Sequence, residues 1–237
     1  MTRWLLPAIA VAGAAIGGAA MFGYDRFAAP DAANRSQIEG VVHDYVLSHA
    51  EIIPEAMRRL QDRENSSVVT ANRAAIVEPF GNAWAGNPRG DVTVVEYFDY
   101  NCGYCRASLP VIDQLLKDDP KVRIVYRDFP ILAPSSRDAA RASLAAAQQG
   151  KYRAFHDALY AEGPVTTATI QTAATNSGVA LSTGDDPAID TELAKNSETA
   201  QKLGLTGTPS WVIGDRVLSG AMPIEELKRA IAAAREG

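Results

Sequence analysis

Cys102 and Cys105 are the only cysteines in 237 residues. They stand three apart, directly after the β-branched and aromatic run Val92-Thr-Val-Val-Glu-Tyr-Phe98 and at the head of a stretch carrying Leu109, Ile112, Leu115 and Leu116. A strand that feeds a helix through a Cys-x-x-Cys turn is a narrow specification. A bridge across so short a loop does little for global stability, and two cysteines cannot staple a scaffold. The chain must therefore bury an ordinary core. Its length and its composition, 47% hydrophobic and 22% charged, are sufficient for one. A net charge of -5 offers no basic face, which excludes nucleic acid as a partner.

Residues Trp4 to Tyr24 carry no charge, with Arg3 before them and Asp25 and Arg26 after. A basic start followed by an apolar run is the pattern of an export signal. The run also has about the ~20 residues that a membrane-spanning helix needs, with aromatics at both ends. Residues 1–29 are thus expected to be a cleaved signal peptide or a retained membrane anchor, with the remainder exported. Ala28 to Arg35 reads as a linker. Residues 30–79 form a helical arm, in which Ile38, Val41, Val42, Tyr45 and Val46 repeat with helical spacing, and Ser36 with Glu39 has the form of a capping box. A second helix is expected from Pro54, with Ile53, Met57 and Leu60 on its apolar side. So short an arm must pack on the main domain or on another copy of itself, which makes it a candidate homo-oligomerisation segment.

Phe80 to Gly90 is loop-like. After the strand 92–98, a helix is expected towards Lys117, kinked at Pro110. Val122 to Phe129 is a second strand. Residues 135 to 203 read as helix in several pieces, broken at Gly150, Gly163-Pro164, Gly178 and Gly184 to Pro187. Ser210 to Ile213 and Arg216 to Ser219 are strands joined at Gly214-Asp215, and Ile224 to Arg235 closes the chain as a helix. The expectation is an α/β fold, a βαβ unit and a ββα unit separated by roughly seventy helical residues.

The pair has a chemical reading. A helix N-terminus offers free N–H groups and a partial positive charge, which favour a thiolate over a thiol. Cys102 should then be exposed and nucleophilic. Cys105, one turn later on the same side, can resolve a mixed disulfide. Structural zinc needs four ligands, and His43, His49 and His156 are neither near the motif nor spaced as a pair. Cu(I) on two thiolates is the alternative from another class. Glu96 stands in the apolar strand six residues before Cys102, where burial would raise its pKa and fit it to move protons for Cys105. A solvent-facing edge position is the plainer reading. Asp99 is placed to cap the loop or tune the site. Thr208-Pro209 opens a strand, and by itself reads as an ordinary turn.

Phe98-Asp-Tyr-Asn-Cys102-Gly103-Tyr104-Cys105-Arg106, with Gly207-Thr208-Pro209-Ser210 about a hundred residues later, resembles the DsbA family of thiol-disulfide oxidoreductases, and within it the ScsC-like subgroup. The resemblance spans residues 80–237, and less specifically the arm. It implies a thioredoxin fold with a helical insertion at 134–203. It makes Cys102 the nucleophile, Cys105 the resolving thiol, Pro209 a cis-proline facing them and Glu96 the family's buried acid. Gly103, Tyr104 and Thr208 would touch an extended substrate segment. It implies no cofactor beyond the Cys102–Cys105 disulfide. Its expected partners are exported proteins with thiols or disulfides and a membrane redox partner. Strongly oxidising members carry Pro-His where this chain has Gly103-Tyr104, the pair found in the family's isomerases. That departure points to a weaker oxidant, an isomerase or reductase, although Arg106 restores some positive charge.

Overall fold

The computed structural model describes residues 32–181 and 184–236; the apolar run 4–24 lies outside the described residues. The chain divides into two units at Arg59–Leu60. The first carries α1 (Ala32–Ser48) and the opening of α2 (Ile52–Ala71). Ala32 to Arg35, expected as linker, are already helical. Ser36 therefore lies inside α1 rather than capping it, and Glu39 accepts from Arg35 Nε at 3.0 Å instead. Ile38, Val41, Val42 and Tyr45 are all exposed. α2 begins two residues before Pro54, which stays in the first turn, where a missing N–H removes no helical bond.

The second unit continues with α3 (Arg73–Val77), β1 (Trp84–Gly86), β2 (Val92–Phe98), α4 (Gly103–Asp118) and β3 (Val122–Asp128). Four helices follow: α5 (Pro134–Gln148), α6 (Tyr152–Glu162), α7 (Thr167–Ser177) and α8 (Pro187–Lys202). β4 (Ser210–Ile213), β5 (Arg216–Ser219) and α9 (Ile224–Glu236) complete it. The helix breaks fall at the expected glycines. Gly163 and Gly178 adopt φ of 93° and 68°, which a residue with a Cβ disfavours. α4 runs through Pro110 to Asp118. β1 is a correction to the expected loop: three residues between Asn82 and Asn87 are too few for an alternating pattern to register.

The strands form one mixed sheet in the order β1-β3-β2-β4-β5. β2 runs parallel to β3, from Val92 opposite Val122 to Phe98 opposite Asp128, and antiparallel to β4, with Glu96 opposite Trp211. β2 is buried on both faces, which is why it reads as a continuous apolar run. Val94 and Phe98 pack with Ile112 and Leu115 of α4, Tyr126, Trp211 and Leu227. Val95 and Tyr97 face the other way, with Ile76, Val125, Ala200, Leu203 and Val212. Side chains alternate along a strand, so Glu96 belongs to the first face, the one that α4 covers.

Candidate active site

The turn from β2 into α4 carries the thiols. Cys102 is the N-cap of α4 with extended backbone, φ -83° and ψ 116°. Its amide donates to Asp99 O at 2.9 Å and its carbonyl accepts from Arg106 N at 3.1 Å. Both thiols are free. The Cys102 thiol donates to Thr208 O at 3.2 Å, across 106 residues of chain, and the Thr208–Pro209 peptide bond is cis. Pro209 O accepts from Gly220 N at 2.8 Å, which ties this loop to the end of β5. Thr208 Oγ1 is buried with no hydrogen-bond partner among the described residues.

Cys102 is only 6% exposed and Cys105 only 1%. The expectation of a freely exposed Cys102 is corrected by the Thr208 carbonyl, which covers the sulfur. The residues between the thiols face outward. Tyr104 is 70% exposed, and a Cβ on Gly103 would meet nothing within 4 Å.

Glu96 is buried within electrostatic reach of both thiols, 2% exposed, which removes the solvent-facing reading. Burial pushes its carboxyl up to about 8, and the neighbouring Cys102 adds to the rise. Burial likewise pushes the Cys105 thiol upward, with Glu96 as the next cause. Each buried acid disfavours ionisation of the group beside it, so only one proton can leave this corner cheaply.

Asp99 acts as the clamp of the turn. Its Oδ1 accepts from Asn101 N at 2.8 Å, and its Oδ2 from Ile131 N at 2.9 Å and Leu132 N at 3.0 Å. Asn101 Nδ2 donates to Ser135 Oγ and Ser136 Oγ in the first turn of α5, at 3.0 and 2.9 Å. Tyr160 Oη donates to Asp99 O at 3.3 Å. The turn is thus held by three separate elements. Asp99→Asn keeps the shape but leaves one oxygen to serve three N–H groups. The expected result is a loss of about 1–3 kcal/mol in urea unfolding, with faster hydrogen exchange at the Ile131 and Leu132 amides.

The three histidines lie apart from the thiols in role. His43 is on α1 and His49 is in the turn just after it, both exposed. His156 is buried against Phe98, Tyr126 and Tyr160, with ring centroids 5.4, 4.8 and 5.0 Å away. Burial holds it below the usual imidazole range. Asn101 and Tyr160 carried no sequence signal as site residues.

Residues 93–232 match the DSBA-like thioredoxin domain family, and residues 34–65 match the copper resistance protein ScsC N-terminal domain family. A thioredoxin-like oxidoreductase from Silicibacter pomeroyi is 40% identical with a TM-score of 0.65, over 70% of this chain and 99% of that one. Proteus mirabilis ScsC in a transitional conformation is 26% identical with a TM-score of 0.64, over 87% of this chain and 97% of that one. A Na(+)/H(+) antiporter NhaA 1 of Salinispora arenicola is 30% identical over 68% of this chain but only 26% of the antiporter. The chain spans about a quarter of the length of the curated relatives it matches first. Among the described residues no helix is long and apolar enough to cross a membrane. The mixed sheet with its block of helices is the thioredoxin fold that the sequence resemblance implies. The match over 93–232 takes in all but the first residue of β2, both thiols, the helical block and the Thr208-Pro209 loop, and the chain belongs to the DSBA-like thioredoxin domain family.

Proposed function

We propose that the chain is an exported, periplasmic thiol-disulfide oxidoreductase that exchanges disulfides with protein substrates, leaning towards isomerisation or reduction. The observation that carries this reading is the 3.2 Å contact between the Cys102 thiol, at the head of α4, and the Thr208 carbonyl. It sets a nucleophile against an open backbone segment that an extended chain can pair with. Cys102 gives its proton to water and attacks a substrate disulfide, one substrate sulfur departs and takes a proton from water, and a mixed disulfide forms. Cys105 then attacks the Cys102 sulfur, the Cys102–Cys105 bond closes, and the second substrate sulfur leaves. The Cys105 proton passes to Glu96, and the departing thiolate takes one from water. No cofactor enters these steps.

The direction rests on the residues between the thiols. Gly103 and exposed Tyr104 bring no cation between the thiols, so the reduced form lacks the stabilisation a histidine there would give, and Arg106, after Cys105, restores only part of it. A membrane redox partner would then keep the pair reduced. The test is scrambled ribonuclease in a glutathione buffer of fixed poise. Recovery of ribonuclease activity is expected from the wild type and not from Cys102→Ser. Rapid oxidation of a reduced substrate without any recovery would sink the isomerase reading in favour of an oxidase.

The arm supports self-association. Ile38, Val41, Val42 and Tyr45 repeat at helical spacing, and all four are exposed. Four such side chains left in water forgo roughly 1.5–3 kcal/mol each. A second copy of the chain is the proposed cover. Light scattering is expected to give a multiple of the chain mass for the protein, and the mass of one chain for a Val41→Asp/Val42→Asp variant. A single-chain mass for the wild type would refute it.

A further inference from the structure

An open cavity of about 500 Å³ adjoins the Cys102 side of the turn, lined by Tyr100, Asn101, Cys102, Gly103, Arg106, Gly163 and Pro164. Arg106 is its one basic side chain. The guanidinium is fixed from three directions: Nη1 donates to Tyr160 O, Nη2 donates to Gly163 O at 2.8 Å, and the carbon between them lies 5.2 Å from the centre of the Tyr160 ring. These partners are neutral. Among the described residues no carboxylate pairs with Arg106, whereas Arg127 has one and Arg141, Arg153 and Arg235 have two each. A guanidinium has five N–H donors, and two are engaged here. An immobilised, uncompensated positive charge at the rim of a nucleophilic thiol is a receptor for an anion.

Resting on the disulfide-exchange reading above, we propose that Arg106 is a specificity-determining residue. It selects substrates that carry a carboxylate, from Asp or Glu, within a residue or two of the cysteine that exchanges with Cys102. A protein substrate must lay its chain along Thr208, and the residue flanking its cysteine then reaches the cavity on the Cys102 side. The walls suit such a side chain, with Tyr100 and Pro164 against its methylenes and Arg106 at its oxygens. The overall charge of -5 works against an acidic substrate. That repulsion is spread over the surface and is screened beyond about 8–10 Å, whereas the contact in the cavity is direct. The local interaction therefore decides the preference.

The experiment is a single turnover. Protein reduced with dithiothreitol and desalted is mixed with a disulfide-linked homodimer of a short blocked peptide whose one cysteine is followed by Glu, Gln or Lys. One peptide disulfide becomes two peptide thiols as Cys102 and Cys105 become a disulfide. The products are acid-quenched and counted by mass. Each rate is divided by that of the same peptide with dithiothreitol, which removes the peptide's own reactivity. The Glu peptide is expected to react about tenfold faster than the Gln peptide, the value of one charge-assisted contact, and the Lys peptide slower still. Arg106 also ties α4 to the end of α6, so its variants are judged by the Glu-to-Gln ratio within each protein. The ratio should fall to near one in Arg106→Gln and be partly kept in Arg106→Lys. Equal rates for the three peptides with the wild type overturn the selection of acidic substrates alone. A preference that survives in Arg106→Gln overturns its assignment to Arg106. No exchange with any peptide overturns the oxidoreductase reading itself.

Discussion

Glu96→Gln is expected to slow release of substrate from a preformed Cys102 mixed disulfide by about a hundredfold at pH 8, the low end of what a positioned acid–base group contributes. The reason is the pairing of two buried groups. Cys105 must lose a proton to attack, and burial opposes its ionisation. Glu96, pushed up to about 8, is the acceptor in the proposed exchange. A carboxyl titrating there holds both forms in useful amounts near neutrality. It can take the Cys105 proton as the mixed disulfide resolves, and return one when the Cys102–Cys105 bond is opened. That reversibility suits an isomerase, which must run both steps. The wild-type release rate, followed by stopped flow, should rise with pH through an inflection near 8, and the variant should show none there. An unchanged inflection in Glu96→Gln would assign it to another group.

The same substitution has a stability signature of opposite sense. Folded Glu96 keeps its proton up to about pH 8, whereas the unfolded chain releases it near 4.5. Between these values the folded state binds the extra proton, so wild-type stability falls as pH rises. The interval amounts to about 5 kcal/mol, at about 1.4 kcal/mol for each pH unit, and stands as an upper bound. Reduced Glu96→Gln should match the wild type near pH 4 and exceed it by several kcal/mol at pH 9 in urea unfolding. A variant slower in exchange yet more stable at high pH separates a positioned proton carrier from a mere packing residue.

Sequence and structure agree best where one residue type has few alternatives. The run 92–98 reads as a buried strand, and a carboxylate inside it could be read as buried and perturbed, with a solvent-facing edge as the alternative that the structure removes. Glycines marked the ends of the insertion helices because those backbones turn through positive φ. β1 escaped notice because its three residues pair through backbone alone. The approach of Thr208 to Cys102 is equally silent. It is made by a carbonyl, which every residue has, and only the resemblance brought the two segments together. Asp99 was singled out by position, but its clamp could not be, since its partners at 131 and 132 are amides that any sequence supplies. Arg106 is placed by the carbonyls of Tyr160 and Gly163, again with no signature of their own. What pattern reading recovers is burial, and what it misses is side-chain-to-backbone contact across long separations.

Arg127→Met is expected to lower stability by about 3–5 kcal/mol. Arg127 lies on β3, fully buried, next to the apolar run Ile124-Val125-Tyr126. Every nitrogen of its guanidinium is engaged: Nε with Ile76 O at 3.1 Å, Nη1 with Glu192 and with Asn196 Oδ1 at 3.2 Å, and Nη2 with Glu78 O. It thereby fastens the end of α3 and the segment after it to β3 and α8, on the sheet face opposite α4. A buried ion pair by itself is weak evidence of stability, because desolvation offsets the attraction. The large effect comes from removing one member, which leaves Glu192 charged and buried with two carbonyls unsatisfied. Lys195 also pairs with Glu192 but is partly exposed, and cannot replace a buried fork of donors. The expected urea midpoint falls with little change in slope. Adding Glu192→Met to Arg127→Met should recover part of the loss, since the stranded carboxylate is then gone, while the Ile76 and Glu78 carbonyls remain unpaired. A single variant costing under about 1 kcal/mol, or a double variant worse than the sum of the singles, would show that the network does not hold this face. Because Arg127 lies on the face away from the thiols, the pH inflection of exchange near 8 should persist in Arg127→Met wherever the protein is folded, which divides the group that supports the scaffold from the one that moves the proton.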